Sequence, residues 1–425
     1  MTLDHLPVTT VDPESEEGLR WLAAVLAGFG EGTVPDELVP LWREDARVDG
    51  HTLYAVWPER SWASDPVPVA TYASWAQSLN VGGGRTLPLH MVTAVTTAVS
   101  HRRRGLLRAM MTGDLATAAR AGLPLAALTA TEGSIYGRFG FGPAVRERRL
   151  EVQVTSRFAL RREPGEDPGR FEVLPAPQAW PAIQEVFAAH LATTRGAVER
   201  PHEYRASLTG LFDIGDRAAD PKRRVLLHLD ADGRPDGYAV WRPTGRVDGV
   251  GTADVHDVLA TSPDVELRVW RRLADLDLTE RLRVQTAPVT TTLEWSLREP
   301  RVVRTTSLHD HLWLRVLDVP AALGARPWSA DGTVVLGVDD PLGHAAGSWR
   351  VQTSGGRAEV TATEEAPEVV LDVEALGASY LGDVAVATLA GAGRATVPAG
   401  GDPEALQRWA AMADGGPAPY CATHF

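Results

Sequence analysis

The chain has 425 residues and a net charge of −13, with 44% hydrophobic and 23% charged residues, a globular composition long enough for about three domains. The acidity argues against nucleic acid as the main partner. It suits a cationic substrate, or it only keeps the protein soluble. No basic-then-apolar segment opens the sequence and no apolar run approaches the ~20 residues that span a bilayer, so no membrane partner is expected. A single cysteine, Cys421, excludes an internal disulfide and makes the cytoplasm the expected compartment.

Residues 1–150 read as a first unit. Gly18–Gly28 carries Leu19, Leu22, Val25 and Leu26 at helical spacing, and Thr52–Trp57 with Val67–Trp75 reads as a hairpin. Gly82-Gly83-Gly84 is expected to be a mobile loop. A strand over Met91–Val99 then runs into Arg102-Arg103-Arg104-Gly105, and a helix follows at once with Leu106, Leu107, Met110, Met111, Leu115 and Ala118 on one face. Gly122 is placed as its C′ residue and Leu125–Ala130 reads as the next strand. Strand, basic glycine turn and helix together form an anion site. Free N–H groups and the positive end of the helix dipole converge there, and Gly105 lets a phosphate approach. The plainer alternative is a solvated charge run.

Residues 151–304 repeat the plan without its chemistry. Arg224–Leu229 and Tyr238–Arg242 flank the turn Asp230–Gly237, Gly251–Leu259 reads as a strand, and Ser262-Pro263 as N-cap and N1 of a helix. Asp264 stands where the first unit has its arginines, so one anion site per chain is expected. Residues 305–425 alternate short strands (Leu312–Val316, Gly332–Gly337, Gly347–Thr353, Ala358–Ala362, Val369–Val373) with helical stretches at Val319–Leu323, Glu374–Tyr380 and after Asp402-Pro403-Glu404. The tail Pro417–Phe425 has no period. Tyr420-Cys421-Ala422-Thr423-His424-Phe425 is aromatic for a fraying end, so docking competes with disorder.

Arg102-x-x-Gly105 resembles the pyrophosphate loop of the GNAT N-acetyltransferases, and Tyr136-Gly-Arg-Phe-Gly-Phe141 resembles the strand after the helix in that superfamily. RRRGLLRAM, TATEGSIYGRFGFGPA, DHLWLRVLDVPAAL, SYLGD and the terminal YCATHF together resemble the Eis-type (enhanced intracellular survival) acetyltransferases. The resemblance implies an α/β (α+β) chain of two GNAT-like folds, the second degenerate, followed by a sterol-carrier-protein-like domain. It implies acetyl-CoA as co-substrate, a cationic primary amine, aminoglycosides among them, as acceptor, a link to antibiotic resistance and a homohexamer built as a trimer of dimers.

The resemblance also assigns residues. Arg103 and Arg104 face the phosphates, where guanidinium forks match the oxygens. Backbone N–H groups of Arg103, Arg104, Gly105, Leu106, Leu107 and Arg108 contribute, and Val95, Thr96 and Thr97 pair with the pantetheine as a pseudo-strand. Thr131 and Glu132 flank the cofactor. Tyr136 is the general acid for the departing thiolate, with Gly133, Gly137 and Gly140 admitting the cofactor closely; without the resemblance Tyr136 reads equally well as a core residue or as that acid. The terminal carboxylate at Phe425 is the base, although an ordinary α-carboxyl is weak for that task. The chain departs from the pattern at Leu107, where a small residue is usual, and at His424, where an acidic one is. His101 reads as a turn histidine, and no His or Cys cluster has metal spacing. The alternatives are acetylation of protein or peptide lysines and a non-catalytic lipid or ligand carrier.

Overall fold

Local signals set many element ends. Ser15, Ser262, Asp318 and Asp372 each accept a first-turn N–H, from Gly18, Val265, Ala321 and Ala375 respectively, which satisfies donors that a helix start leaves free. The computed structural model describes residues 7–213 and 216–425. The first stretch forms β1 (Val8–Val11), α1 (Glu16–Gly28), α2 (Leu38–Val48), β2 (Thr52–Val56), β3 (Ala70–Gly82), β4 (Arg85–Thr97), α3 (Leu106–Arg120), β5 (Leu125–Thr129) and β6 (Gly142–Gln153). The second forms β7 (Arg170–Pro175), α4 (Trp180–Thr193), α5 (Tyr204–Thr209), β8 (Arg224–Leu229), β9 (Pro235–Val247), β10 (Val250–Ala260), α6 (Pro263–Ala274), β11 (Arg281–Ala287), α7 (Thr292–Ser296) and β12 (Val303–Val316). The third forms α8 (Val319–Ala325), β13 (Gly332–Asp339), β14 (Gly347–Ser354), β15 (Arg357–Ala362), β16 (Val369–Asp372), α9 (Val373–Ser379), α10 (Val386–Gly391), β17 (Ala395–Thr396) and α11 (Ala405–Ala413).

The first two stretches share one 12-stranded sheet, ordered β1-β2-β3-β4-β5-β12-β6-β11-β10-β9-β8-β7. In each half a parallel pair, β4 with β5 and β10 with β11, lies next to a strand from the other half. β12 pairs with β5, β6 pairs with β11, and the two crossing strands pair with each other. The halves therefore exchange their last strands about a central seam. The strand expected at Leu312–Val316 is the end of β12 and lies in this long sheet, not with the third stretch. That stretch builds its own five-stranded sheet, β15-β14-β13-β16-β17.

One apolar core joins the first and third stretches, from Trp75, Leu89 and Met91 to Leu336, Leu376 and Trp409. A second lies under α3 and a third under α6. Gly82–Gly84 is not a mobile loop. Gly83 and Gly84 are the two turn residues of the β3–β4 hairpin, all three glycines have positive φ, and a Cβ on Gly82 would stand 2.9 Å from Pro327. Among the described residues, no helix is long and apolar enough to cross a membrane.

Candidate active site

The site begins with a fault in β4. Its pairing with β3 runs to Thr93↔Ala73 and resumes, shifted, at Thr96↔Thr71, so Ala94 and Val95 stand opposite Tyr72 alone. Ala94 has φ 52°, the kind of local irregularity by which a β-bulge re-aims a strand. Parallel pairing with β5 stops at Val92↔Leu128. Beyond that point a cleft of about 670 Å³ opens where the two strands end, the usual ligand position in such sheets.

Helix α3 starts at this cleft. Gly105 is its N-cap at φ 80°, and the first helical bond runs from Ala109 N–H to the Gly105 carbonyl at 2.9 Å. The N–H groups of Leu106, Leu107 and Arg108 thus have no helical carbonyl to bond, which leaves an anion-seeking helix end. Val95, Thr96, Thr97, Arg103, Gly105, Leu106, Leu107, Arg108, Thr131, Glu132 and Tyr136 all line the cleft. Arg104 is apart from this group: its guanidinium turns back to donate to the Ser100 carbonyl at 3.4 Å. His101, read as a turn residue, is in the cleft wall and contacts Ser100 Oγ through Nδ1 at 2.9 Å.

Tyr136 is 7% exposed and packs edge-on against Phe141, with centroids 6.5 Å apart. Burial, with the Glu132 charge, raises its phenol pKa. The Tyr136–Phe141 segment is not a strand. It is a short 3-10 turn over Gly137–Phe139 ending in left-handed Gly140. Nor do its glycines face a cofactor. A Cβ on Gly137 would lie 2.6 Å from Glu374 Oε2, and one on Gly140 1.8 Å from Arg315 Nη1. They let the turn lie tight against α9 and β12, which fixes Tyr136 from behind.

Beyond the bulge lies a second cavity of about 570 Å³. Phe29 lines both spaces, and Ala94 lines this one while Val95 lines the cleft. The bulge is therefore the partition between them. Trp21, Trp42 and Phe212 give it aromatic walls, and Glu31, Asp45 and Glu203 give it acidic ones. The acidic side is built by α2 gripping the chain before α5. Asp45 Oδ1 is 2.7 Å from His202 Nδ1, and Asp49 accepts the backbone N–H groups of His202 and Glu203 at 2.6 and 3.1 Å. Burial, with Asp49 and Asp45 nearby, pushes the half-buried Glu203 up to about 8. Burial also lowers His51, on the same wall, to about 4.

The tail docks. Tyr420 N–H donates to the Arg195 carbonyl at 2.9 Å, Thr423 Oγ1 to the Val198 carbonyl at 2.8 Å, and Tyr204 Oη to the Ala422 carbonyl at 3.0 Å. These bonds deliver Phe425 to the second cavity. Its ring meets Trp75 edge-on at 6.0 Å and its backbone carbonyl oxygen accepts from Thr129 Oγ1 at the end of β5. The acidic wall and His51 escaped the sequence reading because Glu31, Asp45 and His51 lie before, in and just after α2 while the partner segment at His202-Glu203 begins 157 residues after Asp45, with no motif linking them.

Residues 44–144 and 196–316 each match an acetyltransferase (GNAT) domain family, and residues 319–422 match a sterol carrier protein domain family. The chain is 34% identical over 399 residues to an uncharacterized N-acetyltransferase of Streptomyces griseus, covering 92% of this chain and 93% of that protein. It is also 34% identical over 408 residues, with the same coverage, to the N-acetyltransferase Eis of Mycobacterium tuberculosis. The crystal structure of Eis1 from Mycobacterium abscessus superposes with a TM-score of 0.80 at 28% identity, covering 99% of this chain and 100% of that one. With two GNAT domains, a sterol-carrier-like domain and this extent of identity, the chain belongs to the Eis-type N-acetyltransferases of the GNAT superfamily.

Proposed function

We propose that this enzyme transfers the acetyl group of acetyl-CoA directly to primary amines of cationic small molecules, of the aminoglycoside class. The observation that carries the reading is the pair of spaces meeting at the β4 bulge. One is lined by a basic helix start and the other by aromatic rings and the acidic side chains of Glu31 and Asp45, with Glu203 there as a protonated acid below about pH 8, which suits a polyanionic donor and a polycationic acceptor.

The acceptor nitrogen attacks the thioester carbonyl carbon across the bulge. The C–S bond breaks, the CoA thiolate takes the Tyr136 phenol proton, and the ammonium proton leaves toward the Phe425 carboxylate, directly or through one water. Arg103 and the first α3 N–H groups hold the pyrophosphate, and Val95–Thr97 hold the pantetheine beside the splayed strands. The carboxylate role requires that the carboxyl of Phe425 be free. Cytoplasmic location, a homohexameric assembly and a contribution to antibiotic resistance belong to the same reading.

Thiol release from acetyl-CoA, with product masses, tests it on a panel of aminoglycosides, a lysine-containing peptide and neutral amines. Turnover on aminoglycosides with negligible turnover on peptide is the expected result. Turnover on peptide alone would overturn the acceptor class. No thiol release with any amine would overturn the catalytic assignment.

A further inference from the structure

The central seam gathers a group that takes no part in the proton transfers above, although its His424 also lines the second cavity. Glu147 on β6 stands opposite His309 on β12 in register, and β12 is irregular between Asp310 and Leu312, at His311. The docked tail adds His424. Glu147 is 1% and His311 4% exposed, while the His424 side chain is 46% exposed. One ligand atom from each of Glu147, His311 and His424 can be chosen so that all three lie within 4.8 Å of one another. His424 Nε2 is 3.3 Å from Glu147 Oε2, and His311 Nδ1 is 3.9 Å from Oε1.

We propose that Glu147, His311 and His424 form a divalent transition-metal site, of zinc type, that clamps the C-terminal tail to the seam of the sheet. Two imidazoles and one carboxylate are a zinc ligand set, and tetrahedral bonds of about 2.0–2.1 Å put ligand atoms about 3.3 Å apart. Bringing the three atoms to that spacing takes a contraction of up to about 1.5 Å at its widest; the exposed His424 can move inward, and the 3.9 Å gap between His311 and Glu147 has to close by about 0.6 Å. The remaining coordination goes to water or to His309, whose Nε2 is 2.9 Å from Glu147 Oε1.

The surroundings suit a metal. His311 Nε2 lies 2.9 Å from the Thr423 carbonyl. A bond there fixes the proton on Nε2 and leaves the Nδ1 lone pair toward the site, the arrangement by which neighbouring groups orient a metal-bound histidine. Thr286 Oγ1 donates to Glu147 Oε2 at 2.6 Å, which orients the carboxylate at the site.

The test is calorimetric titration of untagged protein with Zn2+, without acetyl-CoA or amine, alongside the visible absorption of added Co2+. The result therefore does not depend on the proposed acetyl transfer. One ion per chain, with affinity weakened about 100-fold or more in His424→Ala and in Glu147→Gln, is expected, together with Co2+ bands that the same changes abolish. His424 is exposed, so its variant should fold even if the buried one does not. Absence of binding up to about 1 mM, or affinity indifferent to His424→Ala, would overturn the site and leave a simple His–Glu ion contact.

Discussion

Arg103 and Arg104 are adjacent and differ in what they reach. Arg103, at φ 63°, lines the cleft at the α3 start, whereas Arg104 bonds its own turn. A charge-assisted phosphate bond is worth roughly 1.5–3 kcal/mol. Arg103→Ala should therefore weaken acetyl-CoA binding by about 10- to 100-fold by calorimetry, and Arg104→Ala by less than about threefold. Equal losses would mean that both act through general charge alone. Glu203 carries a pH signature. Its folded value of about 8 lies above the ordinary 4.5, so the folded state holds the extra proton. The stability this gives is full below pH 4.5 and is lost as pH rises to about 8. Glu203→Gln should remove that loss: its Tm relative to the parent should climb between those limits in a melting series. A difference flat with pH would show that Glu203 is an ordinary surface carboxylate. None of this division was legible in the sequence, where Arg-Arg-Arg-Gly names the turn but not which guanidinium leaves it.

At the level of elements, local chemistry made some legible and tertiary packing hid others. The α6 start follows from Ser262-Pro263, and the cap bond forms at 3.3 Å. The anion turn and α3 follow from the glycine and the apolar face. Helix α4 is faint in the sequence: Trp180, Ile183, Val186, Phe187 and His190 recur at helical spacing on its buried face, but the exposed face is partly Pro181, Ala188 and Ala192, so the polar contrast is weak. The strand exchange is equally silent, since β12 reads locally like any other strand. Also hidden is what holds α3 to the sheet. Asp114 accepts from Tyr72 Oη at 2.7 Å, Ser74 Oγ at 2.9 Å and Tyr54 Oη at 3.1 Å, and contacts His90 Nε2 at 2.5 Å. Burial alone would raise its pKa, but the His90 and hydroxyl contacts hold it below 3.8. The unfolded value is the higher one, so this stabilisation is present above about pH 4 and fails as pH falls through the folded value. Asp114→Ala strands buried partners on three strands and should cost roughly 3–5 kcal/mol in denaturant melts. A cost under about 1 kcal/mol would show that the apolar face of α3 holds the helix unaided.

The whole molecule is tied together at the seam and by the tail. Because β12 lies between β5 and β6, a fragment of residues 1–150 lacks the strand that joins them and exposes two open edges. It should aggregate or stay unfolded by circular dichroism, and a soluble, cooperatively melting fragment would show that the exchange is dispensable. The tail crosses between cores: Cys421 is buried with the first and third stretches, Tyr420 and Ala422 with the second. Of the tail, Phe425 and the exposed His424 reach the second cavity, the proposed acceptor site. Stability and chemistry are thus separable along six residues. Removing Phe425 alone moves the carboxylate back about 3.5 Å and leaves Tyr420–Thr423 in place. Appending a few residues after Phe425 keeps its ring and abolishes its carboxylate. Tyr136→Phe removes the proton at the other end of the same transfer. All three variants should melt within a few degrees of the parent and bind acetyl-CoA, while kcat falls by roughly 10²–10⁴, the range for one general acid or base. Full activity in the extended chain would place the base elsewhere in the cavity. His51 would then be the group to examine, since its Nε2 is buried without a hydrogen-bond partner and its ring lies 4.3 Å from Trp75.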